Sequence, residues 1–485
     1  MRTKLGFVLV FGGLILFTCF AARFVNAQTA VYTDVTLTGG QELGGLDWFG
    51  DHVASSDEWL IIGAGWESID FDGDGEGDPA QGESQVGAVY VYRRTAAGPV
   101  FHQKIEGEGN NVDPDSSGDR FGSGITLLGD WMFVGAANDD DFPGFTDPNE
   151  SGYCGGGPPF DWAGKVYVFR FNRNTSAWEL TQKLASDQPK SCGAFGGRSD
   201  SQNVVLYSFG QGQDDPTIAL IGEIENATGF PPRLHVFKRK KNKDQWKRVQ
   251  IADAPSGLIE SGFADSVEAI GPFALVVEDY FDPEVNPPVV HVYRVGPNGI
   301  VRVNGRLQPI QTLDVPGGLP DAGECVNVGF GDGMSAANGI AIIGNPCDDT
   351  AADRAGAVHV YSVDNSGSND PLTLVQTLPN PTATADSFFG LNRGPGKQSI
   401  STDGNVIAVG SADWFRLSGQ QDVELFARND DGVFVHTDSI PSPEPGVAGL
   451  EYYGQSVNLL GDGELAISQM TPNGRVFLFD LQGVD

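Results

Sequence analysis

The chain has 485 residues, of which 66 are glycine and 29 proline, and its 64 acidic residues outnumber 30 basic ones to give a net charge of −34 at pH 7. Such a charge repels nucleic acid and anionic membrane surfaces, and it favours cations or neutral partners. We therefore expect no nucleic-acid partner. Simple solubility in a salty exterior accounts for the acidity equally well.

The N-terminus has the features of an export signal. Arg2 and Lys4 give a basic start, residues 6–20 are apolar, and Val25-Asn26-Ala27 supplies the small residues that a signal peptidase reads. The apolar stretch is shorter than the roughly 20 residues needed to span a membrane. We predict a signal peptide over residues 1–27 and a mature chain over residues 28–485. The mature chain is expected to be secreted or at the cell surface without membrane insertion, with the periplasm as the alternative location.

The mature chain begins with a strand-like segment at residues 30–37 and then repeats one all-β unit. Each unit opens with an aromatic residue and a small one, continues through an apolar strand, and reaches an alternating strand rich in Val and Tyr. Self-similarity of this kind predicts a repeat architecture. The seven opening aromatic residues are Phe49, Phe121, Phe195, Phe263, Phe330, Phe389 and Tyr453.

The two ends of the chain complement each other. The seventh unit has no fourth strand after Phe479-Asp480, whereas residues 30–37 resemble the fourth strands of the other units. Radial stacking buries both apolar faces of such units against their neighbours. We therefore predict an all-β fold: a single seven-bladed β-propeller over residues 28–485, whose last blade is closed by the N-terminal strand.

This repeat resembles the FG-GAP family, to which the propeller of the integrin α chain belongs. The resemblance covers essentially the whole mature chain and is carried by the aromatic-glycine pairs, with Phe263-Ala264 as one departure. It implies an extracellular recognition or adhesion module. The third unit, with a long and irregular first hairpin, is the other departure.

The strongest local motif is an acidic loop after the second strand of the first unit. It fits the D-x-D-x-D-G-x-x-D pattern, in which carboxylates around a tight glycine turn converge on Ca²⁺. In integrins the corresponding hairpin joins the first and second strands, so its position here is atypical. A solvated acidic loop is the alternative. The predicted structural calcium ligands are Asp70, Asp72, Asp74 and Asp78, with the backbone carbonyl of Glu76.

Four cysteines remain after signal cleavage, and an even number in an exported chain suggests two disulfides. Cys154 and Cys192 fall in two kinds of loop that share one face of a propeller, so we predict a bridge between neighbouring blades. Cys325 and Cys347 flank a predicted hairpin that turns near residues 336–339, and we predict a disulfide across it.

Histidines and a basic cluster invite functional interpretations. His235, His291 and His359 occupy the same third-strand position in different units, so they cannot converge on one metal ion, and we interpret them as packing residues. A run of basic residues over 238–248 falls at the hairpin between the third and fourth strands of the third unit. It is interpreted as a soluble hairpin tip, with docking of an anionic glycan or acidic partner as the alternative.

The sequence contains no nucleophile elbow, zinc-binding H-E-x-x-H pair, phosphate loop or nucleotide fingerprint. The leading hypothesis is therefore a monomeric calcium-binding recognition module that binds a protein or carbohydrate through propeller loops, and not an enzyme. A polysaccharide-active lyase or hydrolase is the second hypothesis. A structural subunit of an envelope assembly is the third.

Overall fold

The structure is a computed structural model. It describes residues 31–37, 48–68, 86–108, 118–139, 163–188, 193–197, 203–209, 214–224, 231–240, 244–258, 261–279, 287–317, 329–382, 385, 387–391, 398–410, 422–443, 453–461, 463–469 and 474–481. For residues 31–36 it describes the backbone alone. The predicted signal peptide lies outside this part of the chain.

Seven antiparallel sheets form a seven-bladed β-propeller, as predicted, and the described residues contain no helix. Blades 1 to 3 consist of β2 (Val53–Ser55), β3 (Trp59–Ala64), β4 (Ala88–Arg93) and β5 (Val100–Glu106); β6 (Phe121–Leu128), β7 (Trp131–Ala136), β8 (Lys165–Asn172) and β9 (Ala177–Leu184); and β10 (Val204–Tyr207), β11 (Ile218–Glu223), β12 (Arg233–Lys240) and β13 (Gln245–Asp253).

The outer strand of blade 4 is split into two short strands that both pair with the third strand. Blades 4 to 6 consist of β14 (Val267–Ile270), β15 (Phe273–Glu278), β16 (Val289–Gly296), β17 (Gly299–Ile300) and β18 (Gln311–Leu313); β19 (Met334–Ala337), β20 (Ile340–Asn345), β21 (Ala357–Val363) and β22 (Leu372–Pro379); and β23 (Ile400–Thr402), β24 (Val406–Gly410), β25 (Asp422–Arg428) and β26 (Phe434–Pro441).

Blade 7 joins the two ends of the chain. It consists of β27 (Tyr453–Leu459), β28 (Glu464–Gln469), β29 (Arg475–Asp480) and, as its outermost strand, the N-terminal β1 (Val31–Leu37). β1 runs antiparallel to β29, with Val31 opposite Asp480 and Leu37 opposite Val476. The predicted ring closure by the N-terminal strand is confirmed.

The opening aromatic residues anchor the blades. All seven are at most 1% exposed, because each packs between its own blade and the preceding one. The residue after each aromatic has a positive φ, between 64° at Ala264 and 101° at Gly122. Glycine adopts that conformation at little cost, whereas other residues are strained. The backbone therefore favours glycine after each opening aromatic residue. Ala264, the one residue at this position that is not glycine, has a strained backbone conformation.

A repeated glutamine links the outer strands of adjacent blades. The side-chain amide of Gln182 in blade 2 accepts a hydrogen bond from the backbone N–H of Trp246 in blade 3 (2.8 Å) and donates one to its carbonyl (2.9 Å). Each such bond contributes about 1 kcal/mol. The same paired contact is made by Gln103 to Trp178, Gln250 to Ile300, Gln311 to Leu372 and Gln376 to Phe434.

The connections lie on two faces because the strands of each blade alternate in direction. Those from a second to a third strand, and from a fourth strand to the next blade, lie on one face, termed the loop face. The remaining connections form the opposite turn face, where β6 and β7 are joined through Gly129 and Asp130 alone. The strand ends that the long connections of blades 1 and 2 join, Ala64 to Ala88 and Ala136 to Lys165, are on the loop face.

Several blades carry a polar side chain at the same position of their first strand, near the propeller axis. Each of these side chains forms a hydrogen bond with the first strand of an adjacent blade. The contacts are Thr126 Oγ1 to the Val204 carbonyl, Thr402 N to Ser335 Oγ, Leu459 N to Ser401 Oγ, and Asn458 Nδ2 to the Val53 carbonyl. Glu268 holds this position in blade 4, where its carboxylate accepts a bond from the N–H of Ala269 (2.9 Å). Burial raises the pKa of Glu268 to about 8.

Glu268 should make the stability of the propeller depend on pH. Its folded-state pKa of about 8 lies above the ordinary 4.5, so stability is fully present below about pH 4.5 and is lost as the pH rises to about 8. Glu268→Gln removes this loss, because the amide stays neutral. Thermal melting at pH 5, 7 and 9 should show the variant gaining on the native chain as the pH rises. Parallel pH profiles would contradict the prediction.

Candidate ligand site on the loop face of blades 1 and 2

The acidic loop predicted to bind calcium belongs to the connection between β3 and β4, as the sequence predicted. Residues 69–85 lie outside the described part of the chain, and with them Asp70, Asp72, Asp74, Glu76 and Asp78. The calcium site therefore stays a prediction. Among the described residues, no group of three or more His, Cys, Asp or Glu side chains could hold a metal ion.

The two ends of this loop near Glu67 and Gly87, termed its neck, lie in the described part of the chain. An ion pair and hydrogen bonds hold them together. The N–H of Gly87 donates to the carbonyl of Glu67 (2.9 Å) and closes the loop at its base. Glu67 Oε1 accepts a bond from the Tyr90 hydroxyl (2.9 Å) and lies 2.6 Å from Lys104 Nζ. Burial raises the pKa of Glu67 above its ordinary value, although Lys104 and Tyr90 act in the opposite direction. The loop therefore starts from a fixed base.

Blade 2 has the same neck. The N–H of Gly164 donates to the carbonyl of Asp139 (3.0 Å), and the fully buried Asp139 carboxylate pairs with Lys165 and accepts a bond from the Tyr167 hydroxyl (2.6 Å). Burial, and then the neighbouring Asp139, raise the pKa of Tyr167. The connections from the second to the third strand in blades 1 and 2 thus have equivalent described ends.

Two of the three histidines at the Tyr90 position, His235 and His291, take part in similar pairs within their own blades. His235 Nε2 lies 2.7 Å from Glu223 Oε2, and His291 Nε2 lies 2.8 Å from Glu278 Oε2. Burial acts to raise the pKa of Glu278, but the bonds from His291 and other neighbours outweigh it and hold the pKa below its ordinary value. His359 has its pKa lowered to about 4 by burial. His235 and His291 do more than pack, because they bind carboxylates that the sequence did not reveal as partners. His359 Nδ1 lies instead 3.0 Å from the hydroxyl oxygen of Thr377.

A cluster of two tryptophans and an arginine lies beside the neck of the blade 1 loop. The ring centroids of Trp48 and Trp66 are 4.4 Å apart, with the ring planes inclined by 46°. The guanidinium carbon of Arg120 lies 3.9 Å from the centroid of the Trp66 ring. Both tryptophans are partly exposed. This cluster, termed the Trp-Arg cluster, joins the connection before blade 1, the loop neck of blade 1 and the connection before blade 2.

The other blades show that the fold does not require these three side chains. Trp48 and Arg120 hold the position immediately before the opening aromatic, which in blade 3 is Ala194. All three have positive φ, at 51°, 54° and 37°. Trp66 precedes the neck carboxylate, and Asn138 holds that place in blade 2. The Trp-Arg cluster is therefore a feature of blades 1 and 2 and not of the repeat.

The remaining described tryptophans have a different role. They are at most 3% exposed and pack between blades, as the T-shaped contact between Trp131 and Trp246 illustrates (5.8 Å). Partly exposed aromatic rings with polar edges are typical of binding surfaces. The tryptophans of this buried group are Trp59, Trp131, Trp178 and Trp246.

Of the four cysteines in the two predicted disulfides, Cys347 lies in the described part of the chain. Cys347 is disulfide-bonded and follows β20, the second strand of the hairpin that turns at residues 338–339 as predicted. Cys154, Cys192 and Cys325 lie outside the described residues. The pairings Cys154–Cys192 and Cys325–Cys347 therefore stay predictions.

Two arginines of the basic cluster at the β12–β13 hairpin pair with acidic residues. Arg239 is 5% exposed, pairs with Asp215 and Asp244, and lies over the Trp131 ring. Arg248 pairs with Asp187. These contacts give Arg239 and Arg248 a structural role.

A cleft of about 520 Å³ opens on the turn face across blades 1 to 3. Its lining includes Glu58, Asp130 and Arg173, and Arg173 donates two bonds to Asp130 (2.6 and 3.1 Å) and one to Glu58 (3.5 Å). Exposed pairs of this kind contribute at most about 1 kcal/mol each. They join the turns of neighbouring blades.

Comparison with known proteins finds solved structures that are similar only at low sequence identity. No family model and no curated protein match its sequence. Solved structures similar to it include Sqt1 of Saccharomyces cerevisiae, at 8% identity and a TM-score of 0.44 over 94% of this chain and 87% of that one. The putative 6-phosphogluconolactonase of Bacteroides fragilis is 12% identical with a TM-score of 0.41, over 81% of this chain and 85% of that one.

The periplasmic gluconolactonase of Pseudomonas aeruginosa is a third similar structure, at 14% identity and a TM-score of 0.39, over 79% of this chain and 88% of that one. Likeness at this level says nothing about the activity of this chain. The described residues also contain no helix of the length and hydropathy needed to cross a membrane. The function must therefore be argued from the loop face itself.

Proposed function

We propose that this chain is a monomeric, secreted or cell-surface recognition module of the FG-GAP type, which binds calcium in the blade 1 loop and a protein or carbohydrate ligand on the loop face. The observation that carries the proposal is the Trp-Arg cluster. Trp66 lies four residues before Asp70 in the same connection. The proposed binding surface and the predicted calcium loop therefore start from the same neck in blade 1.

Calcium would act by ordering the loop above that base. Asp70, Asp72, Asp74 and Asp78 offer side-chain oxygens, and Glu76 offers its backbone carbonyl. Ca²⁺ takes six to eight oxygens, so these residues would supply most of a coordination shell. Without the ion, four nearby carboxylates repel one another. Calcium should therefore draw the loop together beside Trp48 and Trp66.

Calcium titration of the mature protein should show saturable binding near one site and a raised melting temperature. At 100 times the dissociation constant, the bound ion adds about 2.7 kcal/mol to the free energy of unfolding. The double variant Asp72→Ala and Asp74→Ala should lose both effects. The double variant Asp430→Ala and Asp431→Ala is the matched control, because it removes the same charge from an exposed turn of blade 6. Absence of binding at millimolar calcium would reduce the loop to a solvated turn.

Assays can distinguish a binding protein from the two alternative functions, an enzyme and an envelope subunit. A polysaccharide lyase or hydrolase would release products from a panel of acidic and neutral polysaccharides. An envelope subunit would purify with fixed partners and bind no free ligand. Release of products with calcium present would replace the recognition proposal with an enzymatic one.

A further inference from the structure

We infer that the cleft on the turn face of blades 1 to 3 binds an extended peptide segment that carries lysine or arginine side chains. The inference goes beyond the proposed function, because it assigns a second binding site on the face opposite the loop face. It follows from the size of the cleft, from two unpaired carboxylates and from two buried indole groups in its lining.

The cleft has the size of a ligand site, and every residue that lines it lies in the described part of the chain. Its volume of about 520 Å³ falls within the range of about 300–1,000 Å³ that such sites occupy. Arg173 of blade 2 reaches Glu58 of blade 1 (3.5 Å), and Arg170 of blade 2 pairs with Asp244 of blade 3. The walls are therefore joined before a ligand arrives, which lowers the cost of ordering them.

Acidic side chains outnumber basic ones in the lining, and two of them have no cationic partner. The carboxylates of Glu58, Asp130 and Asp215 pair with arginines. Asp57 and Asp214 are exposed, and within the described residues their carboxylates form no ion pair or hydrogen bond. Asp57 lies in a turn of blade 1 and Asp214 in a turn of blade 3. Two separated positive charges on one extended ligand match this arrangement.

The repeat does not require acidic residues at these turns. The connection between the first and second strands holds Asp57-Glu58 in blade 1 and Asp130 in blade 2. The same connection is Gly271-Pro272 in blade 4 and Asn338-Gly339 in blade 5, without a carboxylate. Because these blades fold without acidic residues there, a binding role accounts for the carboxylates of blades 1 to 3.

Two indole groups in the lining supply hydrogen-bond donors. Trp59 and Trp131 begin the second strands of blades 1 and 2, and each is 1% exposed. Neither indole N–H donates a hydrogen bond within the described residues. A buried N–H without a partner is unfavourable, so an acceptor brought by a ligand should be bound well.

The carboxylates and the indole groups together select a basic peptide. Its carbonyl oxygens can accept bonds from the indole groups, and its cationic side chains can pair with Asp57 and Asp214. An aliphatic polyamine offers the positive charges without a carbonyl acceptor. The net charge of −34 attracts a basic segment from a distance. An amino sugar combines ammonium groups with hydroxyl acceptors, so it is the occupant against which the peptide must be compared.

The test is calorimetric titration of the mature chain with the blocked peptide acetyl-Ala-Lys-Ala-Lys-Ala-amide. One peptide should bind per chain, and the same peptide with both lysines acetylated should bind about tenfold more weakly. Asp57→Asn and Asp214→Asn should each weaken binding about threefold. Asp430→Asn, in an exposed turn of blade 6, is the matched control and should leave the affinity unchanged. All three positions are exposed, so the variants should fold.

The indole signals in NMR spectra of a chain with isotopically labelled tryptophan locate the peptide. The signals of Trp59 and Trp131 should shift as the peptide saturates the site. The signal of Trp246, which is equally buried but does not line the cleft, should not shift. Trp59→Phe and Trp131→Phe assign the two signals.

Three outcomes overturn the inference. The first is absence of peptide binding. The second is an equal loss of affinity in Asp430→Asn and Asp57→Asn, because general attraction to the acidic surface would then suffice. The third is binding that shifts neither indole signal, which places the peptide elsewhere. Tighter binding of a glucosamine trimer than of the peptide replaces the peptide with an amino sugar. The calcium titration is independent of these results, so the proposed function stands or falls separately.

Discussion

Removal of residues 31–37 should abolish the cooperative thermal unfolding of the propeller. β1 is the fourth strand of blade 7, and it pairs with β29 along its length apart from an irregularity between Tyr32 and Thr36. Without it, β29 becomes an unpaired edge strand and the last blade has three strands. Leu37, which is 8% exposed in a core shared by blades 7 and 1, is lost as well. The truncated chain should melt at a lower temperature and over a broader range.

Adding the missing strand as a peptide distinguishes a loss of ring closure from a general loss of stability in the truncated chain. A synthetic peptide of residues 28–38 should restore the sharp transition to the truncated chain, because the groove beside β29 is vacant. A peptide of the same composition in scrambled order should not. Limited proteolysis should show blade 7 cleaved first in the truncated chain and protected when the native peptide is present. An unchanged melting curve after truncation would show that three strands suffice for blade 7.

The features of the fold that could be predicted from the sequence are those that the backbone enforces. Phe121-Gly122 recurs because a buried aromatic residue must be followed by a positive φ, and this leaves the same two letters in nearly every unit. The complementary ends predicted closure, since residues 30–37 matched the missing fourth strand. The hairpin near residues 336–339 and the loop after Ala64 also lie where the sequence placed them.

The contacts between blades were harder to predict because they join residues far apart in the chain. Gln182 and Gln376 recur at one place in the fourth strands, but only the fold shows that each meets the backbone of the next blade. His235 could be assigned to a strand position, yet its partner Glu223 becomes visible only from the pairing of β11 with β12. The signal in the sequence was the carboxylate that ends the second strand of these blades, Glu223 in β11 and Glu278 in β15.

The Trp-Arg cluster was missed for a similar reason. Trp48, Trp66 and Arg120 lie in three separate connections, and nothing in their spacing indicates contact. A usable signal was present in the repeat itself. An aligned position that is alanine in one unit and tryptophan in another is not required by the core, so its side chain is free to serve binding. Alignment of repeats within one chain can therefore point to candidate binding residues without any homologue.

Gly164→Ala should destabilise the propeller more than the same substitution at a glycine in an open turn. Gly164 has a φ of 79°, and a Cβ atom there would lie 2.4 Å from the backbone nitrogen and 2.6 Å from the carbonyl oxygen of Phe195 in blade 3. Neither atom can move freely, because the Phe195 N–H is bonded to the carbonyl of Ala163 (3.0 Å). Backbone strain of about 1–2 kcal/mol and overpacking of about 1–3 kcal/mol add, so the free energy of unfolding should fall by about 3 kcal/mol.

Gly305→Ala isolates the packing contribution from the strain. Gly305 has nearly the same φ, 80°, but no atom within 4 Å of the added Cβ. It should therefore lose only about 1–2 kcal/mol. Urea unfolding of the two variants gives the comparison, provided that the slopes with denaturant agree. Equal losses would mean that blades 2 and 3 can separate slightly at no cost, and the blade 2 loop neck, which Gly164 closes through its bond to Asp139, would then be a movable base for the loop face.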